Sequence, residues 1–120
     1  MSKPAASGTP HIFLAMIYSL HGLRATFRHE EAFRNELAFA LVMSILAVII
    51  ADELAVLLIL LILPWLTLVV ELLNSAVEST VDLISDDYHE LAGRAKDQGS
   101  AAVFVLLTIT AVSYVIALCA

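Results

Sequence analysis

Three long stretches of this sequence carry no charged residue: Leu37–Ala51, Leu54–Val70 and Ala101–Ala120, of 15, 17 and 20 residues. A helix rises 1.5 Å per residue, so about 20 residues cross the ~30 Å hydrocarbon core of a bilayer. The last stretch suffices alone. The middle one suffices if it runs to Leu73, which carries Glu71 into the span, and the first needs residues 33–36 or a locally thinned bilayer. None of the runs alternates between polar and apolar, and a barrel needs many more strands. All three are therefore expected to be helices, whose backbone hydrogen bonds close internally. Composition agrees: 61% of the 120 residues are hydrophobic and 15% charged. That leaves too little polar surface for a small water-soluble domain. Four Gly, three Pro and one Cys exclude a collagen-like, disordered or disulfide-built chain. The net charge of −6 argues against nucleic acid as a partner, because such binding needs a basic face.

The basic residues set an expected orientation. Arg24, Arg28 and Arg34 precede the first span, Arg94 and Lys96 precede the third, and the turn between the first two spans is Asp52-Glu53. The positive-inside rule then places the N-terminus and the 83–99 loop in the cytoplasm and the C-terminus on the periplasmic side. Residues 11–29 form a different kind of segment. Phe13, Met16, Ile17, Leu20, Leu23 and Phe27 fall on one side at helical spacing, which predicts a helix lying on the inner membrane surface. Residues 1–10 read as a tail. The expected organisation is thus a single all-α membrane domain over 1–120: surface helix 11–29, transmembrane helices near 33–51, 54–73 and 100–120, and a cytoplasmic helix extension and loop over 74–99.

Polar residues on the second span are the informative feature. Glu71, Asn74, Ser75, Glu78 and Asp82 share one helix face, with Leu72, Leu73, Ala76, Val77 and Val81 on the others. Three carboxylates on one face repel one another unless a cation sits among them, and an ionisable group at membrane depth marks a functional site by default. A second acidic group, Glu30, Glu31 and Glu36, sits where the surface helix meets the first span, at the same membrane level. Together the two could hold a hard cation such as Mg2+, which takes one or two carboxylates plus substrate phosphates. A proton relay or scaffold using Glu71 is the rival reading, but it leaves the further carboxylates beside a basic loop unexplained. The four Gly, at 8, 22, 93 and 99, form no phosphate-binding loop, and the four His lack zinc spacing.

The run Val70-Glu71-Leu72-Leu73-Asn74-Ser75-Ala76-Val77-Glu78, then Asp82, then Tyr88-His89-Glu90-Leu91-Ala92-Gly93-Arg94-Ala95-Lys96-Asp97, closely resembles the prokaryotic diacylglycerol kinase family. The likeness extends over residues 18–120 and includes Gly22-Leu23-Arg24-Ala25, Glu30 and Ala32-Phe33-Arg34. It implies a homotrimeric inner-membrane kinase that uses ATP and Mg2+ to phosphorylate diacylglycerol at sites shared between protomers. By position, the resemblance makes Glu71 the catalytic base and Glu30 and Glu78 metal ligands that also contact nucleotide. It puts Tyr18, Asp87, Tyr88, His89, Lys96 and Asp97 at nucleotide-contacting positions. It puts Arg24, Ala25, Thr26, Phe27, Glu31, Ala32, Phe33, Arg34, Asn35, Glu71 and Ser100 in the lipid site, with Asn74, Glu36 and Asp82 in support. His11 stands where a family Arg can bridge ATP and lipid, Leu20 replaces a Trp, and Asn35 replaces a Gln. A related branch phosphorylates undecaprenol, but the His-Glu-Leu-Ala-Gly-Arg-Ala-Lys-Asp block looks more like the diacylglycerol branch.

Overall fold

The computed structural model describes residues 10–84, 87 and 89–120. It is all-helical among those residues, with α1 His11–His29, α2 Glu31–Ile50, α3 Leu54–Ile84 and α4 Glu90–Cys119. The last three are each long and apolar enough to cross a bilayer. Helix α3 lies between α2 and α4 and packs extensively on both, whereas α1 touches the bundle lightly. Within α1 only Leu14 is buried, and its apolar stripe from Phe13 to Phe27 stays uncovered by the rest of the chain. That is the form of a helix that lays an apolar face on lipid.

Each spanning helix buries a narrow seam. Helix α2 buries Phe33, Ala40 and Ala47, seven residues apart, and α4 buries Val103, Thr110 and Tyr114. Ala40 and Ala47 are fully covered, and such small residues let helix backbones approach closely where lipid supplies no hydrophobic drive. The seam of α3 is longer: Leu60, Pro64, Thr67, Leu68, Glu71, Asn74 and Ser75. The first part of the polar stripe, Glu71, Asn74 and Ser75, therefore continues the core seam and faces protein.

Pro64 breaks the hydrogen-bond ladder of α3. It has no N–H to give to the Leu60 carbonyl four residues earlier. The Tyr114 hydroxyl of α4 supplies a replacement, lying 2.6 Å from the Leu60 oxygen and 2.9 Å from the Met43 oxygen of α2. One phenol thus ties three helices together at a point where lipid could satisfy nothing.

The structure differs from the sequence expectation at the start of α4. The segment from Glu90 to Gly99, expected as loop, is helical and continuous with the third span. Glu90 stabilises the first turn, an Arg94–Glu90 ion pair of 3.5 Å bridges it, and Gly93 and Gly99 weaken a helix without ending it.

Candidate functional site

The site is built at the elbow between α1 and α2. Glu30 is the single non-helical residue between them, extended at φ −114° and ψ 106°. Its N–H donates to the Thr26 carbonyl (2.9 Å) and its own carbonyl accepts from the Arg34 N–H (3.4 Å), so its backbone closes one helix and opens the next. Arg34 reaches back to brace the elbow. Its Nη1 donates to the Phe27 and Arg28 carbonyls at 2.7 and 3.2 Å, groups that the end of α1 leaves without helical partners.

Helix α3 passes this elbow with its polar seam. Glu71, Asn74 and Ser75 are buried, Glu78 is half-buried and Asp82 is exposed. The Glu71 and Glu36 carboxyl groups lie side by side, and Glu78 and Glu30 are close enough for their charges to act on Glu71. Two carboxylates cannot donate to each other, so such neighbours repel unless a proton or a cation lies between the oxygens. The Asn74 amide donates to Glu78 Oε1 at 3.1 Å. Among the described residues three buried side-chain polar atoms have no partner: Glu36 Oε2, Asn74 Oδ1 and Ser75 Oγ. Buried polar groups normally find one, so this end of the seam is incomplete.

Among the described residues no three Asp, Glu, His or Cys side chains converge into a ready metal cage. The donors present are all oxygen, and unpartnered oxygens lie among them. Such a set fits Mg2+, which completes its octahedron with water and substrate phosphates, and does not fit zinc.

Two clefts flank the elbow and share Leu72. One, of about 190 Å³, is lined by Ala25, Thr26, His29, Glu30, Leu72, Ser75, Ala76 and Ser79. The other, of about 470 Å³, is lined by Leu23, Phe27, Phe33, Leu37, Trp65, Leu68, Val69 and Leu72, with almost no polar surface. A polar cleft beside an apolar one suits an amphiphile. Another apolar cleft, between the Asp52-Glu53 turn and the end of α4, is remote from all of these groups.

The sequence-derived candidates divide by position. Glu30, Glu36, Glu71, Asn74 and Glu78 converge at the elbow, and Ala25, Thr26, Phe27 and Phe33 line its two clefts. Arg24, Glu31, Ala32, Asn35 and Ser100 are exposed and line neither. Arg34 is spent on α1, so its guanidinium serves the elbow. Lys96 is committed to Asp82 at 2.6 Å, and that hydrogen bond holds its ammonium above the usual lysine value. Asp87, His89 and Asp97 are exposed near the start of α4, while Tyr88 lies outside the described residues. Tyr18 and His11 sit on α1, about 18 and 28 Å along the helix from Glu30. The sequence reading passed over His29 and Ser79 as cleft residues. Their signals were adjacency to Glu30 and the i, i+4 spacing of Ser75 and Ser79.

The family model described as prokaryotic diacylglycerol kinase matches residues 17–118. The diacylglycerol kinase of Escherichia coli (strain K12) is 45% identical over 116 residues, covering 93% of this chain and 92% of its own length. That of Haemophilus influenzae is 41% identical over 106 residues, covering 88% and 90%. That of Pseudomonas aeruginosa is 41% identical over 108 residues, covering 90% and 88%.

Proposed function

This chain belongs to the prokaryotic diacylglycerol kinase family, and from that premise we propose that it transfers the γ-phosphoryl group of ATP to diacylglycerol, giving phosphatidic acid, at the α1–α2 elbow. The observation that carries the placement is a buried carboxyl, Glu71, next to Leu72 and one turn from Ser75, which line a polar cleft that adjoins an apolar one. A lipid hydroxyl cannot leave the bilayer surface, so its base must stand at the membrane edge with the nucleotide outside. Glu71 occupies that edge, and Glu78 lies about two turns (~10 Å) further along α3, toward water.

In this reading the diacylglycerol chains lie along the apolar cleft and the glycerol enters the polar one. Glu71 accepts the proton of the primary hydroxyl. The freed oxygen attacks the γ-phosphorus, the bond from that phosphorus to the β–γ bridging oxygen breaks, and ADP leaves. Glu30 and Glu78 would hold Mg2+, which neutralises phosphate charge when bound. Glu36 positions Glu71 through their contact. Lys96, Asp97 and His89 at the start of α4 face the nucleotide.

His11 and Tyr18 stand too far along α1 to serve the elbow of their own chain. We assign them to the site of a neighbouring protomer in a homotrimer. The chain spans the bacterial inner membrane with the elbow in the cytoplasm and the C-terminus in the periplasm, following the distribution of Arg and Lys.

The test is purified protein in mixed micelles with MgATP, radiolabelled in the γ-phosphate, and either diacylglycerol or undecaprenol. Label in phosphatidic acid is expected. Label only in undecaprenyl phosphate, or in neither lipid, would overturn the reading.

A further inference from the structure

We propose that Gly99 is a positioning residue that holds Glu78 in place through Asn74; this rests on the reading of Glu78 as a metal ligand. A Cβ built on Gly99 would overlap Oδ1 of Asn74 and lie 3.1 Å from its Cγ and 3.8 Å from its Cα. Gly99 lies inside α4, where glycine weakens the helix relative to alanine, and its backbone needs no left-handed conformation. What requires a glycine here is space. Gly22 in α1 is the contrast, since a Cβ there would meet nothing within 4 Å.

Asn74 is 7% exposed and is fixed on two sides. Its Nδ2 donates to Glu78 Oε1, while its unpartnered Oδ1 lies against the bare backbone of Gly99. A methyl group at position 99 forces the amide to turn. The clash falls on the end of a flexible side chain, so the amide turns rather than the backbone moving, and turning Oδ1 aside carries Nδ2 with it, away from Glu78. Glu78 then loses the donor that orients it. The close approach of α4 at Gly99 is thus transmitted to a carboxylate on α3. A second link sets the same register, because Lys96, one turn earlier on α4, pairs with Asp82, one turn beyond Glu78 on α3.

The experiment compares wild type, Gly99→Ala, Asn74→Ala and the double variant, with Glu78→Gln as reference. Each is titrated with Mn2+ in detergent in the presence of a non-hydrolysable ATP analogue, read by electron paramagnetic resonance, and its thermal midpoint is measured. Partners that orient a metal ligand are typically worth 10–100-fold in affinity. Gly99→Ala should weaken Mn2+ binding by about that factor, and the Mg2+ required for half-maximal rate should rise more than kcat falls. In the Asn74→Ala background the added methyl has nothing to displace, so Gly99→Ala should change neither Mn2+ affinity nor midpoint further. Unchanged Mn2+ affinity in Gly99→Ala, or an equal loss in both backgrounds, overturns the proposal. Should Gly99→Ala fail to fold, recovery in the double variant supports the contact and failure of both overturns it. Unchanged Mn2+ affinity in Glu78→Gln would instead remove the metal reading of Glu78, while the thermal coupling between Gly99 and Asn74 would still report their contact.

Discussion

The two halves of the α3 seam treat polar atoms in opposite ways. Through the middle of the bundle each polar side chain of the seam has a partner. Tyr114 covers the carbonyl that Pro64 orphans, Thr67 and Thr110 bond back to Leu63 and Leu106, and beside the seam Trp65 donates to Ser44 at 2.9 Å. Two turns further along α3, Asn74 Oδ1 and Ser75 Oγ, with Glu36 Oε2 of α2 at the same end, are buried with none. Leaving a buried polar group unpaired costs about 1–3 kcal/mol, so the satisfied half is built for stability. The unsatisfied half carries the groups to which the proposed reading assigns partners that arrive with substrate. Strain or incompleteness kept at one end of an otherwise complete seam is the signature expected of an active site.

If that contrast is right, substitutions at the two ends should separate activity from stability. The largest effect is expected at Glu71. Replacing it with Gln preserves size and hydrogen bonding but removes the proposed base, and a base typically contributes 10²–10⁴-fold. The kcat of Glu71→Gln should fall by about that factor, with KM for ATP little changed. The thermal midpoint in detergent should hold or rise, because the variant removes a crowded carboxylate. A midpoint that falls together with activity, and activity that returns in stabilising lipid, would mean that Glu71 holds helices together and is no base.

The opposite pattern is expected at Tyr114. Tyr114→Phe leaves the Leu60 carbonyl bare in the membrane interior, at a cost of about 1–2 kcal/mol. The midpoint should drop while kcat of the folded protein stays near wild type. Pro64→Ala restores an N–H to the ladder, so in that background Tyr114→Phe should lose less than half as much. Equal losses in both backgrounds would show that the phenol does not compensate for the proline.

The sequence made the satisfied half visible as membrane spans and the unsatisfied half visible as a polar stripe. Absence of charge over 15 to 20 residues announces a span without any tertiary information. The spacing from Glu71 to Glu78 places its residues on one face because helical periodicity is local. What stayed hidden was which side chains pair across helices. The two acidic groups were legible as lying at one membrane level, but that Glu36 and Glu71, 35 residues apart, are the pair that meets was not. Tyr114 looked like one more aromatic in an apolar run, and its role depends on a proline fifty residues away. Arg34 read as a lipid contact because its neighbours belong to that pattern, yet a one-residue elbow turns it back onto α1. The helical start of α4 was missed for another reason: a run of charges resembles a solvated loop until the i, i+4 pairing of Glu90 with Arg94 is noticed.

The smallest effect is expected at the link between α3 and α4 outside the membrane. Lys96 and Asp82 meet at 2.6 Å, but their side chains remain 44% and 61% exposed. Water and salt screen such a pair, so it contributes little to stability. Its sign with pH is nonetheless fixed. The hydrogen bond from Lys96 to Asp82 raises the lysine above its ordinary value of 10.5. The stabilisation is fully present below that ordinary value and is lost as pH rises through the raised one. The midpoint difference between wild type and Asp82→Asn should therefore stay constant from about pH 7 to about pH 9 and shrink above about pH 10.5. The same variant separates the bridging role of Lys96 from the nucleotide contact proposed for it, because it removes the bridge but keeps the cation. Lys96→Gln should raise KM for ATP by more than Asp82→Asn does. Equal KM values in the two variants would reduce Lys96 to a brace between helices, and the nucleotide would then owe its positive partner to another residue.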